Sequence, residues 1–295
     1  MEAMTRNTST AAIVERLTGA KIVVVGDIML DRFVEGLVER ISPEAPIPVF
    51  SVQHETSMLG GAGNVLRNLA ALGGEVYLAA TVSADEAGLE IRGLISKENQ
   101  STLGLHEVLG RRTGIKTRYI AGGQQMMRAD EETVSLISYD IKNMVLEAAA
   151  IGLEDFSALV LADYGKGVLS AGIAGELIQI ARQKDMPIIV DPQGSSYDDY
   201  MGATLVTPNR KELADAIGLP TDSTEEIVSA AAQIARQSGI DAVLATRSHD
   251  GMTLVRNTHN YKHFQAKAKE VFDVSGAGDT VVACIATAVS AGISM

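Results

Sequence analysis

Residues 158–192 read ALVLADYGKGVLSAGIAGELIQIARQKDMPIIVDP, and this stretch decides the fold class. Residues 158–161 form a short apolar run that breaks off at Asp163, Tyr164, Gly165 and Lys166. Residues 170–184 then carry apolar side chains at helical spacing, and 187–190 form a second apolar run ended by Asp191 and Pro192. Strand, helix and strand, with strands apolar throughout, make the repeating unit of a parallel sheet covered on both faces. The same punctuation recurs outward from it. Residues 21–25 stop at Gly26 and Asp27, 205–206 at Thr207, Pro208 and Asn209, and 242–244 at Thr246 and Arg247, with helical periods over 211–217 and 225–238. The expectation is an α/β fold with a central, mostly parallel sheet and helices on both faces. Ligands in such sheets bind at the carboxyl ends of the strands, where this chain places its Asp, Asn, Lys and Arg residues.

Two segments depart from that rhythm. Residues 33–55 read as short alternating strands around the turn-rich Ser42, Pro43, Glu44, Ala45 and Pro46, and 113–130 read as a hairpin turning at Gly122 and Gly123. They predict a small β-sheet lid, about 31–56 and 112–130, whose one face covers a site and whose other face takes a second subunit.

A chain of 295 residues with 46% hydrophobic content can bury one large core, so a single domain over 1–295 is expected. The net charge of −12 would repel a nucleic-acid backbone or an anionic membrane, and neither is an expected partner. No apolar run approaches the roughly 20 residues of a membrane span, and residues 1–10 lack the pattern of an export signal. One cysteine, Cys284, leaves no intramolecular disulfide or thiolate cluster, which fits a reducing, cytoplasmic setting.

The strongest chemical signal is Asp273, Val274, Ser275, Gly276, Ala277, Gly278, Asp279 and Thr280, directly before the apolar helical run 281–291. Glycines at a helix start leave backbone N–H groups facing an anion. An acid at the mouth of such a pocket would repel the anion, unless its carboxylate takes a proton from an attacking hydroxyl. The competing reading makes Asp279 a helix cap. A second cluster, residues 60–64, ends in Asn64, which could bind sugar hydroxyls. Asp27 and Asp31 could do likewise or act as caps.

Together, residues 60–64, 273–280 and Asn209, Arg210, Lys211 and Glu212 resemble the PfkB/ribokinase carbohydrate kinases over nearly the whole chain. Residues 26–32, 40–49, 116–118, 124–125, 163–167 and 246–248 more narrowly resemble the D-glycero-β-D-manno-heptose-7-phosphate kinases of lipopolysaccharide core synthesis. The resemblance implies a ribokinase-like fold, ATP and Mg²⁺, and a 1,7-bisphosphate product. It implies Asp279 as base with the amides of Gly276, Ala277 and Gly278 as anion hole. Asn209, Arg210, Lys211, Glu212, Thr246 and Arg247 fall to the nucleotide, with Glu212 reaching the metal mostly through water. Asp27, Asp31, Gly61, Asn64 and Asp191 fall to the sugar. A substrate already carrying a phosphate needs cations, for which Lys116, Arg118, Arg128 and Lys166 are the candidates. Met126 and Met127 beside them are expected in the core.

Three departures qualify this. Gln193 stands where the subfamily resemblance calls for Lys, and Ser275 where it calls for Thr. The resemblance further implies one or two helices beyond Met295, so that C-terminal helices are missing and ATP binding by the chain as given is weak. The alternatives are a kinase of another sugar or sugar phosphate, and a catalytically impaired sugar- or nucleotide-binding homologue. A dehydrogenase fits poorly, because residues 60–64 are not a Gly-x-Gly-x-x-Gly turn. A symmetric dimer is expected through the lid, where the segment 47–52 leaves Pro48, Phe50 or their neighbours needing cover.

Overall fold

The computed structural model describes residues 10–98, 101–267 and 276–293. Helix α1 (Thr10–Leu17) precedes strand β1 (Lys21–Gly26). The chain then leaves for a long hairpin, β2 (Ile28–Ile41) and β3 (Pro48–Gly61), and returns through α2 (Ala62–Ala71), β4 (Glu75–Ser83), α3 (Glu86–Ile95) and β5 (Ser101–Val108). A second hairpin, β6 (Gly114–Ala121) and β7 (Gln124–Glu131), leads to α4 (Tyr139–Asp155), β8 (Ala158–Ala162), α5 (Ile173–Gln183), β9 (Ile188–Asp191) and β10 (Leu205–Val206). The last part comprises α6 (Arg210–Ile217), α7 (Thr224–Gln237), β11 (Ala242–Thr246), β12 (Met252–Asn257), β13 (Asn260–Phe264) and α8 (Ala277–Ser290).

The main sheet runs β13-β12-β11-β10-β9-β8-β1-β4-β5, parallel from β11 to β5 with β12 and β13 antiparallel at one edge. Strand residues alternate between two cores. Val23, Val25, Leu159, Leu161, Val190 and Val243 pack with α4, α5 and α7, whereas Ile22, Val24, Val160, Ile189 and Leu244 pack with α2, α3 and α8. Period-two alternation with both sides apolar is why helices cover both faces, as expected. Order reverses between β1 and β8, so a crevice opens beyond their carboxyl ends. Asp27 and Tyr164 stand there.

The lid is a separate sheet, β3-β2-β6-β7, with β2 parallel to β6. Its strands are longer than the alternation suggests. β2 and β3 pair continuously from Ile28 with Gly61 to Ile41 with Pro48, interrupted by register shifts at Glu35/Gly36 and Val38/Arg40. Such bulges let a long ribbon keep twisting without ending the pairing. Gly60 and Gly61 therefore close strand β3, and α2 starts directly after them at Ala62. The base of the lid is tied to the core by Asp85, which caps α3 by accepting from Gly88 N at 2.8 Å and also accepts from Thr113 N at 2.9 Å. Met126 and Met127 correct an expectation: they lie on edge strand β7, where no layer of the described residues covers them, and are exposed. Among the described residues no helix is long and apolar enough to cross a membrane.

Candidate active site

Helix α8 begins after Gly276, whose φ of 73° is left-handed and whose missing side chain leaves room for the Asn64 amide. Asn64 Nδ2 donates to Asp279 Oδ2 at 2.6 Å, and the Tyr164 hydroxyl donates to Asp279 Oδ1. Burial holds the Asp279 carboxyl above the usual range and nearby Asp31 adds to this, while the Tyr164 and Asn64 donors and Lys116 pull the other way. The amides of Ala277 and Gly278 lie in the first turn of α8, where no intrahelical acceptor exists. Asp273, Val274 and Ser275 lie outside the described residues.

Asp279 opens on a cavity of about 310 Å³ between the strand ends and the lid. Asp191, Thr207, Asn209, Glu212 and Thr246 line the core side; Asp31, Gly61, Lys116 and Arg118 line the lid side. Burial, and then the charge of Asp279, push the Asp191 carboxyl up to about 7. Thr207 Oγ1 is 3.1 Å from Asp191 Oδ1. Asn209 and Glu212 form the capping box of α6, Asn209 Oδ1 accepting from Glu212 N at 3.0 Å and Glu212 Oε2 accepting from Asn209 N at 2.8 Å. One oxygen of each is thereby engaged, and Asn209 Nδ2 and Glu212 Oε1 have no part in the box. Among the described residues no group of three or more His, Cys, Asp or Glu side chains is arranged to hold a metal.

Several expected site residues have other work. Asp27, 2% exposed, accepts from three backbone amides: Tyr164 N at 3.1 Å and Lys166 N at 2.9 Å on Oδ2, and Val168 N at 3.0 Å on Oδ1. It holds the loop after β8 where a free sugar ligand was expected. Arg210 pairs with Asp250 and exposed Lys211 with Asp215, and neither lines the cavity, because successive helical positions turn about 100° away from the face shared by Asn209 and Glu212. Arg247 is 6% exposed and turned into the fold, donating to Thr224 Oγ1 at 2.9 Å; it ties α7 to β12.

The four candidate cations also separate. Arg118 is neutralised by Asp31 at 2.7 Å, Arg128 by Asp130 at 2.8 Å on the exposed side of the lid, and Lys166 by Glu132 at 2.8 Å. Lys116 alone of the four has no carboxylate in ion-pair reach among the described residues, and burial holds its ammonium below the usual range. Gln193 lines a different groove, with Asp163 and Tyr200. Sequence reasoning missed Tyr164 and Thr207. Their signal was position, since each follows the carboxyl end of a parallel strand, Tyr164 after β8 at the crevice and Thr207 after β10.

The chain matches the model described as pfkB family carbohydrate kinase over residues 20–295. A protein of Rhodospirillum rubrum named Bifunctional protein HldE is 51% identical over 285 residues, covering 96% of this chain and 57% of that protein. The Paramagnetospirillum magneticum protein of the same name is 49% identical over 292 residues, covering 99% and 60%. The chain thus spans about three-fifths of the length of these curated relatives. Escherichia coli phosphofructokinase-2 in complex with substrates and products superposes with a TM-score of 0.75 at 19% identity, covering 94% of this chain and 88% of that one. Arabidopsis thaliana ribokinase complexed with ribose and ATP superposes at 0.70 and 20% identity, with the same coverage. The likeness to those two establishes the ribokinase-like fold, and the family match together with the relatives establishes that this chain belongs to the pfkB family of carbohydrate kinases.

Proposed function

We propose that this chain is an ATP-dependent kinase that phosphorylates the anomeric hydroxyl of D-glycero-β-D-manno-heptose 7-phosphate, giving the 1,7-bisphosphate for ADP-heptose and lipopolysaccharide core synthesis in the cytoplasm. The observation that carries the reading is Asp279, a buried carboxylate held by two donors at the start of α8 and open to a cavity that also contains Lys116. The acceptor hydroxyl loses its proton to Asp279 as its oxygen bonds to the γ-phosphorus. The bond from that phosphorus to the β–γ bridging oxygen breaks, and its electron pair leaves with ADP. Such a transfer asks for positioning and charge neutralisation rather than covalent catalysis.

The first-turn amides of α8 are suited to the transferring phosphoryl group. Asn209, Glu212 and Thr246, on the same wall of the cavity, are suited to the nucleotide phosphates. Mg²⁺ neutralises charge on those phosphates when bound; Glu212, a single hard oxygen donor, fits an ion held largely through water. Asp31 and Gly61, on the lid wall of the cavity, are left for the sugar, while the Asn64 amide is engaged by Asp279. The choice of heptose rests on the resemblance of residues 26–32, 40–49 and 163–167, and Lys116 supports a phosphorylated acceptor because, among the described residues, it lines the cavity with no carboxylate in ion-pair reach. The exposed apolar residues of the lid support the expected homodimer.

A transfer assay with ATP and a panel of sugars and sugar phosphates tests this. Heptose 7-phosphate should have the highest kcat/KM. Lys116→Met should raise its KM by roughly tenfold, the weight of a charge-assisted contact, with a smaller change for unphosphorylated sugars. Equal kcat/KM with and without the acceptor phosphate would remove the acceptor assignment.

A further inference from the structure

Two acidic groups, Tyr164 and Asp191, line up on one side of Asp279, and the hydrogen bonds among the three close only if one carboxyl keeps its proton. The Tyr164 hydroxyl lies against Asp279 Oδ1 and 3.3 Å from Asp191 Oδ2. A phenol has one proton to give and can accept another. With both carboxylates ionised, one of them would face the phenol oxygen with no proton between them. Asp191 is the one that holds it: burial and the Asp279 charge favour its neutral form. The chain is then directed, Asp191 O–H to Tyr164 O and Tyr164 O–H to Asp279 Oδ1, with Asn64 on the opposite oxygen. Burial, and the charge of Asp279 after it, hold the Tyr164 phenol above its ordinary range, so it stays neutral.

We propose that Tyr164 is a positioning residue for Asp279, itself oriented by the carboxylic acid of Asp191, and that it delivers the base to the acceptor hydroxyl ionised and in one orientation. The ring has independent anchors. Tyr164 N donates to Asp27, the ring edge abuts Gly61, where an added Cβ would come within 3.3 Å of it, and Lys116 Nζ stands 5.9 Å from the ring centroid. Phenylalanine at 164 therefore keeps the packing and removes the donor. The charged groups facing Asp279 are Asp31 from β2, Lys116 from β6 and Asp191 from β9; those facing Asp191 include Glu212 from α6 and Tyr197.

The inference rests on Asp279 acting as the base. Its test compares Tyr164→Phe, Asp279→Asn and the double variant by kinetics, and titrates the ¹³C-labelled Asp279 carboxyl of the parent and of Tyr164→Phe by NMR. Tyr164→Phe should lower kcat about tenfold with acceptor KM within about twofold, and raise the Asp279 pKa by about one unit, since a donor to the ionised form is lost. In the Asp279→Asn background the same change should alter kcat less than about twofold, because Tyr164 acts through the carboxylate. Asp191→Asn, whose amide still donates to the phenol, should cost less kcat than Asp191→Ala. Equal losses in both backgrounds, or an Asp279 titration unmoved by Tyr164→Phe, overturn the proposal. The titration needs no turnover, so a parent chain that transfers no phosphate would overturn the kinase reading while the NMR result still decides this one.

Discussion

Asp279 combines two demands that usually conflict, burial and charge. Burial raises its pKa, and the Asn64 and Tyr164 donors, which favour the ionised form, offset part of that. Asparagine at 279 is nearly isosteric but takes no proton. Asp279→Asn is expected to lower kcat by roughly 10²-fold or more and leave sugar binding, read by calorimetry, nearly intact. Activity within a few fold of the parent would remove the base assignment. The same scale explains why Arg247 misleads. It follows a strand end, as ligand-binding residues do, yet its guanidinium satisfies Thr224 and Thr253 inside the fold.

The loop after β8 is the element on which the site depends, and Asp27 holds it from the end of β1. Loops seldom hold catalytic geometry by themselves, since their amides have no ladder to join. Here one buried carboxylate serves three of them. Asp27→Ala would strand three amides at about 1–3 kcal/mol each, so a stability loss of about 3 kcal/mol or more is expected in denaturant unfolding, with Asp27→Asn losing less. A change below about 1 kcal/mol for Asp27→Ala would show that water replaces the carboxylate without penalty. The capping box of α6 works similarly: it starts the helix and, by the same geometry, sets Asn209 and Glu212 on the cavity wall.

Across the whole molecule the least resolved demand is the outer half of the lid. Phe50 finds cover within its own sheet, packed edge-on to Tyr119 with centroids 5.5 Å apart. Leu37, Ile41, Ile47 and Val52 remain 46–62% exposed, grouped at the outer end of the β2–β3 ribbon. An apolar group on a thin sheet favours a second copy, since a two-fold axis covers both patches at once. Analytical ultracentrifugation at micromolar concentration should show a dimer, and the pair Leu37→Asp and Val52→Asp should give a monomer. A monomeric parent would overturn lid pairing.

The sequence by itself determined the α/β class, the strands from 158 to 191, the existence of two lid segments and the placement of Asp279 at a helix start. Each of these is written in local terms: apolar runs, helical spacing, turn residues and glycines next to a helix. The tertiary structure decided which polar residues at strand ends face the cavity, because a side chain's partners come from elsewhere in the chain. Asp27 and Asp31 are four residues apart and read alike, yet one is consumed by amides near residue 166 and the other meets Arg118 across the lid. Four cations looked equivalent until Asp31, Asp130 and Glu132 were seen to neutralise three of them. Tyr164 became part of the site only when β8 and α8, more than a hundred residues apart, brought its hydroxyl to Asp279.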